Sequence, residues 1–314
     1  LTILLSITGF EPTRWLKALT DHAPQRSILL HPENAHDPSI EYAVVWHQPT
    51  GLLAGLPNLK AIFSIGAGVD HVLKDKRLPD VPIVRIVADD LTTRMSEYVV
   101  WRVLDHMRRG LAYHAQQDAV HWRPRRRQPK ASEVTVGIMG FGELGRDAAG
   151  KLAGLGFSIA GWSRSEKHIE GVQHFSGEAG LDAFLSVSDI VVCLLPLTAE
   201  TRGILNYGLF TRMKKQTPMG GPVLINAGRG RLHVEADIVR ALDEKVLFEV
   251  SLDVFEHEPL PPASPLWKNT RAFLTPHIAA VSEPEALAPL IIQQINAFER
   301  GEPLKHIVNR TTGY

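Results

Sequence analysis

The chain has 314 residues, enough for two domains of ordinary size, each able to bury its own core. Lys and Arg together number 34, as do Asp and Glu, so net charge gives no reason to expect nucleic acid or an acidic membrane as a partner. The single cysteine, Cys193, lies in the apolar run from Ile190 to Leu195, which rules out an intrachain disulfide and reads as a structural thiol rather than a metal ligand; no metal is expected.

In chain order, Leu1 to Ile7 is apolar but too short and too lightly flanked for a signal peptide, and no later stretch reaches membrane-spanning length. A cytoplasmic protein is expected, with initiating residues before Leu1. Strands are predicted at Ile3–Ser6, Ser27–Leu30, Ala43–Trp46, Ala61–Ser64 and Ile83–Val87, with a helix of amphipathic spacing at Glu11–Leu19. The apolar periodicity of Met95–Met107 predicts a helix that crosses between domains. The charge run at Trp122–Arg127 reads as a solvated loop or subunit contact. A second series of strands follows at Val134–Met139, Ser158–Trp162, Ile190–Leu195, Val223–Asn226, Phe248–Val254 and Arg271–Leu274. A helix from about Glu285 to Arg300 then returns the chain to the first domain.

Short apolar runs alternating with amphipathic stretches are the pattern of parallel strands joined by crossover helices, so the class is α/β. Two doubly wound parallel-sheet domains are expected. A Rossmann domain at 98–284 is inserted in a flavodoxin-like domain formed by 1–97 and 285–314.

Between a predicted strand and helix stands Gly140-Phe141-Gly142-Glu143-Leu144-Gly145, a Gly-x-Gly-x-x-Gly loop in the context that makes this weak motif informative. The first glycine permits the tight turn, the second lets backbone approach a pyrophosphate, and the third allows close packing of helix on strand. Where an NAD-binding domain usually offers Asp or Glu to the ribose hydroxyls, the next strand ends in Ser163-Arg164-Ser165. A carboxylate would repel a 2′-phosphate, whereas Arg164 can pair with it and the serines can donate to it. NADP(H) is therefore preferred, with NAD(H) possible.

The last third delivers three polar residues to strand ends: Arg229 in Ala-Gly-Arg-Gly, Glu258 in Phe-Glu-His-Glu-Pro, and His277 in Thr-Pro-His. A cation, a carboxylate and an imidazole suit a reaction in which a carbonyl group is held, polarised and protonated.

These segments, with Tyr42–His47, Gly66–Asp70, Met95–Tyr98, Leu195–Thr198 and the terminal Asn309–Tyr314, in this order and spacing, resemble the D-isomer-specific 2-hydroxyacid dehydrogenases, and within them the glyoxylate/hydroxypyruvate reductase A type. The resemblance implies His277 as acid/base, Glu258 as its partner, and Arg229 as the grip on the substrate carboxylate and carbonyl. It implies that Ala67 and Gly68 bind that carboxylate through backbone and that Trp46 lines the substrate pocket. Asp253 is expected to approach the nicotinamide carboxamide, with Leu195, Pro196, Ala227, Gly228, Arg229, His277 and Ala279 also on the cofactor. Gly228 departs from many relatives, which carry another small residue there. The implied activity is NADPH-dependent reduction of small 2-keto acids, glyoxylate and hydroxypyruvate foremost, by a homodimer with its active site in the cleft between domains. A larger or aromatic keto acid and a dinucleotide-sensing, corepressor-like regulator are the alternatives. A formate dehydrogenase fits less well, because that group pairs its histidine with glutamine.

Overall fold

The computed structural model describes residues 1–34 and 36–314. The chain divides into two compact units, Leu1–Leu91 with Val281–Tyr314, and Thr92–Ala280. The sequence placed the boundaries at 97/98 and 284/285.

The first unit contains β1 (Thr2–Ile7), α1 (Thr13–His22), β2 (Ser27–Leu30), β3 (Ile40–Trp46), β4 (Ala61–Ser64), the short α2 (Asp70–Leu73) and β5 (Ile83–Val84). Its sheet is parallel throughout, in the order β2-β1-β3-β4-β5. The order reverses between β1 and β3, and the carboxyl ends of strands at such a switch point are where doubly wound folds bind ligands. Trp46 ends β3 at that point. Strand alternation divides the core: Ile3 and Leu5 pack with the terminal helix Pro284–Glu299, while Leu4 faces Leu53 and Val72.

The second unit begins within α3 (Asp89–Met107), which starts six residues before the predicted Met95 because Asp89 and Asp90 add an acidic first turn that the apolar periodicity does not register. Next come α4 (Gly110–Asp118), β6 (Thr135–Met139), α5 (Glu143–Gly154), β7 (Ser158–Ser163), β8 (Val172–Ser176) and α6 (Gly177–Val187). The unit continues with β9 (Ile190–Cys193), α7 (Tyr207–Arg212), β10 (Val223–Asn226), α8 (Glu235–Asp243), β11 (Glu249–Leu252) and β12 (Ala272–Leu274). All seven strands are parallel, in the order β12-β11-β10-β9-β6-β7-β8. β8 was not predicted: it is an edge strand of mixed polarity, Val-Gln-His-Phe-Ser, and only partly buried.

Both faces of this sheet are covered, so its strands read as continuous apolar runs. In β9, Ile190 and Val192 join the cluster under α3 and α5, whereas Val191 and Cys193 join the one under α6 and α8. Each such aliphatic side chain contributes about 1.5–3 kcal/mol on burial. Cys193 is fully buried and its thiol is pushed up to about 12 by desolvation, as expected of a structural cysteine. β11 turns two polar residues to the α3 face, where His106 bonds Glu249 and Ser251 at 2.7 Å each and Arg102 donates to Ser251 at 2.9 Å. Among the described residues no helix is long and apolar enough to cross a membrane.

Candidate active site

The second sheet reverses its strand order between β6 and β9, and the glycine loop leaves β6 there. Its three glycines have different surroundings. Gly140 has φ +98°, and a Cβ on it would lie 2.7 Å from the Leu194 carbonyl group. A Cβ on Gly145 would lie 2.3 Å from the Gly140 oxygen, whereas one on Gly142 meets nothing within 4 Å. The first and third glycines thus serve packing, and the second leaves open space beside the start of α5. The loop therefore fits a dinucleotide pyrophosphate. Glu143 is exposed, Leu144 half-buried and Phe141 buried against Gly161 and His174. Leu195, Ala227 and Gly228 are buried beside this loop, with Pro196 half-buried, and a Cβ on Gly228 would come within 2.9 Å of the Leu195 oxygen.

At the end of β7, Arg164 and Ser165 are exposed. Ser163 is buried, and its hydroxyl donates to the Ser165 carbonyl at 2.8 Å, so its proton is spent on shaping the turn. Two neighbours of this turn belong to no motif in the sequence. His174, on the unpredicted β8, lies 2.9 Å from the Ser163 hydroxyl, and Lys167 donates from Nζ to the Phe141 carbonyl at 2.7 Å. Burial and the nearby Arg146 push the Lys167 ammonium below its ordinary range. The signal for Lys167 was a second cation three residues after Arg164, near enough to share an anion.

His277 and Glu258 come together from separate strand ends: His277 Nδ1 lies 2.7 Å from Glu258 Oε2, and Glu258 Oε1 accepts from the Phe255 N–H at 2.9 Å. Burial opposes ionisation of Glu258. The hydrogen bond and charge of His277, the Phe255 amide and the charge of Arg229 outweigh it, and the carboxyl lies below its ordinary range. An ionised carboxylate only accepts, so Nδ1 carries the proton of this bond and Nε2 is the ring atom that can exchange one with a ligand. His257 is exposed, while Glu256 is tied to α8 by reciprocal amide bonds with Glu235 at 2.9 Å.

His277 has φ 57°, a left-handed backbone that costs a non-glycine residue energy and persists only where its surroundings impose it. Asp253 imposes it here. Its carbonyl accepts from the His277 N–H at 2.8 Å, and its carboxylate accepts from Thr275 Oγ1 at 2.7 Å and from the Ile278 and Ala279 amides at 2.9 Å each. Since the Thr275 proton goes to Asp253, Tyr98 donates to Thr275 Oγ1, at 2.8 Å. Burial raises the Asp253 carboxyl, and these bonds limit the rise. Asp253 is therefore the anchor of the histidine loop, a role the sequence did not disclose. Arg229 follows β10 and donates to the Gly228 carbonyl at 2.8 Å.

In the first unit, Trp46 is half-buried, and its indole stands 4.9 Å from the His47 ring and 4.5 Å from the His71 ring. A Cβ on Gly66 would lie 2.4 Å from that indole, so the absent side chain is what lets Trp46 lie across the turn that carries Ala67 and Gly68. Both of those residues are half-buried.

A glycine loop at the switch point of a doubly wound sheet, beside a histidine–carboxylate pair and an arginine, defines a dinucleotide-binding α/β protein built for acid–base chemistry on an anionic ligand. Residues 100–279 match the D-isomer specific 2-hydroxyacid dehydrogenase, NAD binding domain family. Glyoxylate/hydroxypyruvate reductase A of Escherichia fergusonii is 39% identical over 318 residues, covering 99% of each chain. Among solved structures, the NADPH-dependent glyoxylate/hydroxypyruvate reductase of Sinorhizobium meliloti, in complex with NADP and sulfate, is 48% identical with a TM-score of 0.94, covering 100% of this chain and 99% of that one. The D-isomer specific 2-hydroxyacid dehydrogenase of Xanthobacter autotrophicus Py2, in complex with NADPH and MES, is 36% identical with a TM-score of 0.93 at the same coverage. The chain belongs to the D-isomer specific 2-hydroxyacid dehydrogenase family.

Proposed function

We propose that the protein is an NADPH-dependent reductase of small 2-keto acids, glyoxylate and hydroxypyruvate foremost, yielding D-2-hydroxy acids. The observation that carries this reading is the 2.7 Å bond between His277 and an ionised Glu258. It occurs in the same unit as a glycine loop followed by Arg164 where an acid would favour NAD. Bound NADPH would supply the hydride.

The chain's own residues do the rest. Gly140, Gly142 and Gly145 shape the seat of the pyrophosphate, and Arg164, Ser165 and Lys167 meet the 2′-phosphate. Arg229 holds the substrate carboxylate and draws the carbonyl into one orientation. The Ala67 and Gly68 backbone also binds the carboxylate, and Trp46 limits the length of the group beyond the carbonyl. As negative charge grows on the carbonyl oxygen, His277 delivers the proton from Nε2, and Glu258 holds the ring in place through Nδ1. Asp253 keeps the histidine loop in its left-handed turn and offers its remaining acceptor capacity to the nicotinamide carboxamide.

The dimer belongs to the same proposal. Helix α4 buries none of its residues within the chain, and Val120 and Trp122 beyond it are 91% and 93% exposed. That is a surface a second copy would cover.

His277→Ala tests the reading. Turnover of glyoxylate should be lost while NADPH affinity stays within about twofold, since the residue acts on substrate. Retained turnover would refute the assigned role.

A further inference from the structure

Two fully buried polar residues behind Arg229 take no part in the chemistry above. Asn226 closes β10 and His233 follows the arginine turn; they are 0% and 1% exposed. Asn226 Oδ1 accepts from the Gly228 N–H at 3.1 Å, and its Nδ2 donates to the Arg229 carbonyl at 3.0 Å. Those two backbone partners orient the amide, because an N–H needs the oxygen and a carbonyl needs the nitrogen. The same Nδ2 lies 2.8 Å from His233 Nδ1, so that ring atom must accept. His233 is therefore neutral, with its one proton on Nε2. Burial agrees, pushing the ring down to about 4 against the opposing charge of Glu258.

The backbone carrying His233 is fixed independently of its side chain. His233 N–H donates to the Gly230 carbonyl at 3.2 Å. Leu205 takes the Val234 N–H at 3.1 Å and gives its own N–H to Leu232 at 2.9 Å. On the other side of the turn there is no slack, since a Cβ on Gly230 would lie 1.7 Å from the Phe255 oxygen. The Gly228 carbonyl, on which the Arg229 guanidinium rests at 2.8 Å, belongs to a residue whose own N–H is held by Asn226. Asn226 thus grips both the backbone of Arg229 and the residue that seats its side chain, and His233 fills the second donor position of that amide.

We propose that Asn226 and His233 form a positioning pair for Arg229: an amide clamp whose orientation depends on a histidine that accepts at Nδ1. Neither residue touches substrate. The inference rests on the reading of Arg229 as the grip on the substrate carboxylate.

The test compares variants in the full-length protein. Asparagine places an acceptor near the position of Nδ1, so His233→Asn should keep kcat/KM for glyoxylate within about threefold of the parent, whereas His233→Leu should lower it on the order of tenfold to a hundredfold, chiefly through KM. Asn226→Asp keeps the size of the side chain and its acceptor but donates to nothing, and should behave as His233→Leu does. NADPH affinity should be unchanged in all three. If His233→Leu does not fold, as read by circular dichroism, the contrast between Asn226→Asp and His233→Asn carries the comparison. Oxalate binding by calorimetry reports the anion grip without turnover. A parent protein that binds oxalate but does not reduce glyoxylate would undo the functional reading and leave the clamp testable. Equal oxalate affinity and equal KM in His233→Leu and His233→Asn, or a parallel loss of NADPH affinity, would overturn the clamp.

Discussion

Replacing Gly142 and Gly145 by alanine, separately, distinguishes a glycine kept for a ligand from one kept for packing. A Cβ on Gly142 meets no atom within 4 Å, and its φ of −86° lies outside the left-handed region that favours glycine. Gly142→Ala should therefore leave the unliganded protein's stability within about 0.5 kcal/mol of the parent. The new methyl group nevertheless stands where a pyrophosphate would approach backbone N–H groups. Losing one charge-assisted bond there costs about 1.5–3 kcal/mol, or about ten- to a hundredfold in NADPH dissociation constant. Gly145→Ala forces a Cβ to 2.3 Å from the Gly140 oxygen. Overpacking of that kind costs about 1–3 kcal/mol and should lower the melting temperature by several degrees even without cofactor. Thermal unfolding without NADPH and fluorescence titration with it separate the two. A Gly142→Ala variant that binds NADPH as tightly as the parent would refute the assignment of the loop's open side to the phosphates.

Two other outcomes are expected of the cofactor-binding unit. Arg164→Ala should raise the Michaelis constant for NADPH far more than that for NADH, measured side by side; equal effects would remove Arg164 from the 2′-phosphate. For His233, the folded value near 4 lies below the ordinary 6.5, so between those values the unfolded chain binds more protons and stability falls as pH falls. From pH 7 to pH 5 this group alone removes about 2 kcal/mol, a loss that His233→Asn lacks. Urea midpoints of parent and variant that keep a constant difference over that range would contradict it.

Much of the architecture was legible because its signals are local. Parallel strands buried on both faces announce themselves as apolar runs, and the glycine loop lies between a strand and a helix that periodicity alone locates. Arg229, Glu258 and His277 were found as motif residues, and the structure brings Glu258 and His277 into contact across 19 positions of sequence. The support behind them was not legible. The buried bonds of Asp253 to residues 275–279 and the Tyr98 donor to Thr275 join residues whose proximity exists only after the strands are ordered, while the Asn226–His233 pair, seven positions apart, depends on the path of the turn between them, which no motif announces. β8 was missed for another physical reason: an edge strand needs no continuous apolar run, and Gln173 and His174 broke the pattern. The short β5 shows the opposite error, since Ile86 and Val87 carry the apolar reading on past Arg85, whereas the ladder ends at Val84.

Reduction of short 2-keto acids with NADPH at this site is checked by following oxidation of NADPH and NADH in parallel with glyoxylate, hydroxypyruvate, pyruvate and phenylpyruvate. Faster turnover of glyoxylate and hydroxypyruvate, with NADPH ahead of NADH, is the predicted result. A preference for phenylpyruvate would contradict the limit assigned to Trp46, and no oxidation with any of the four would contradict the catalytic reading itself.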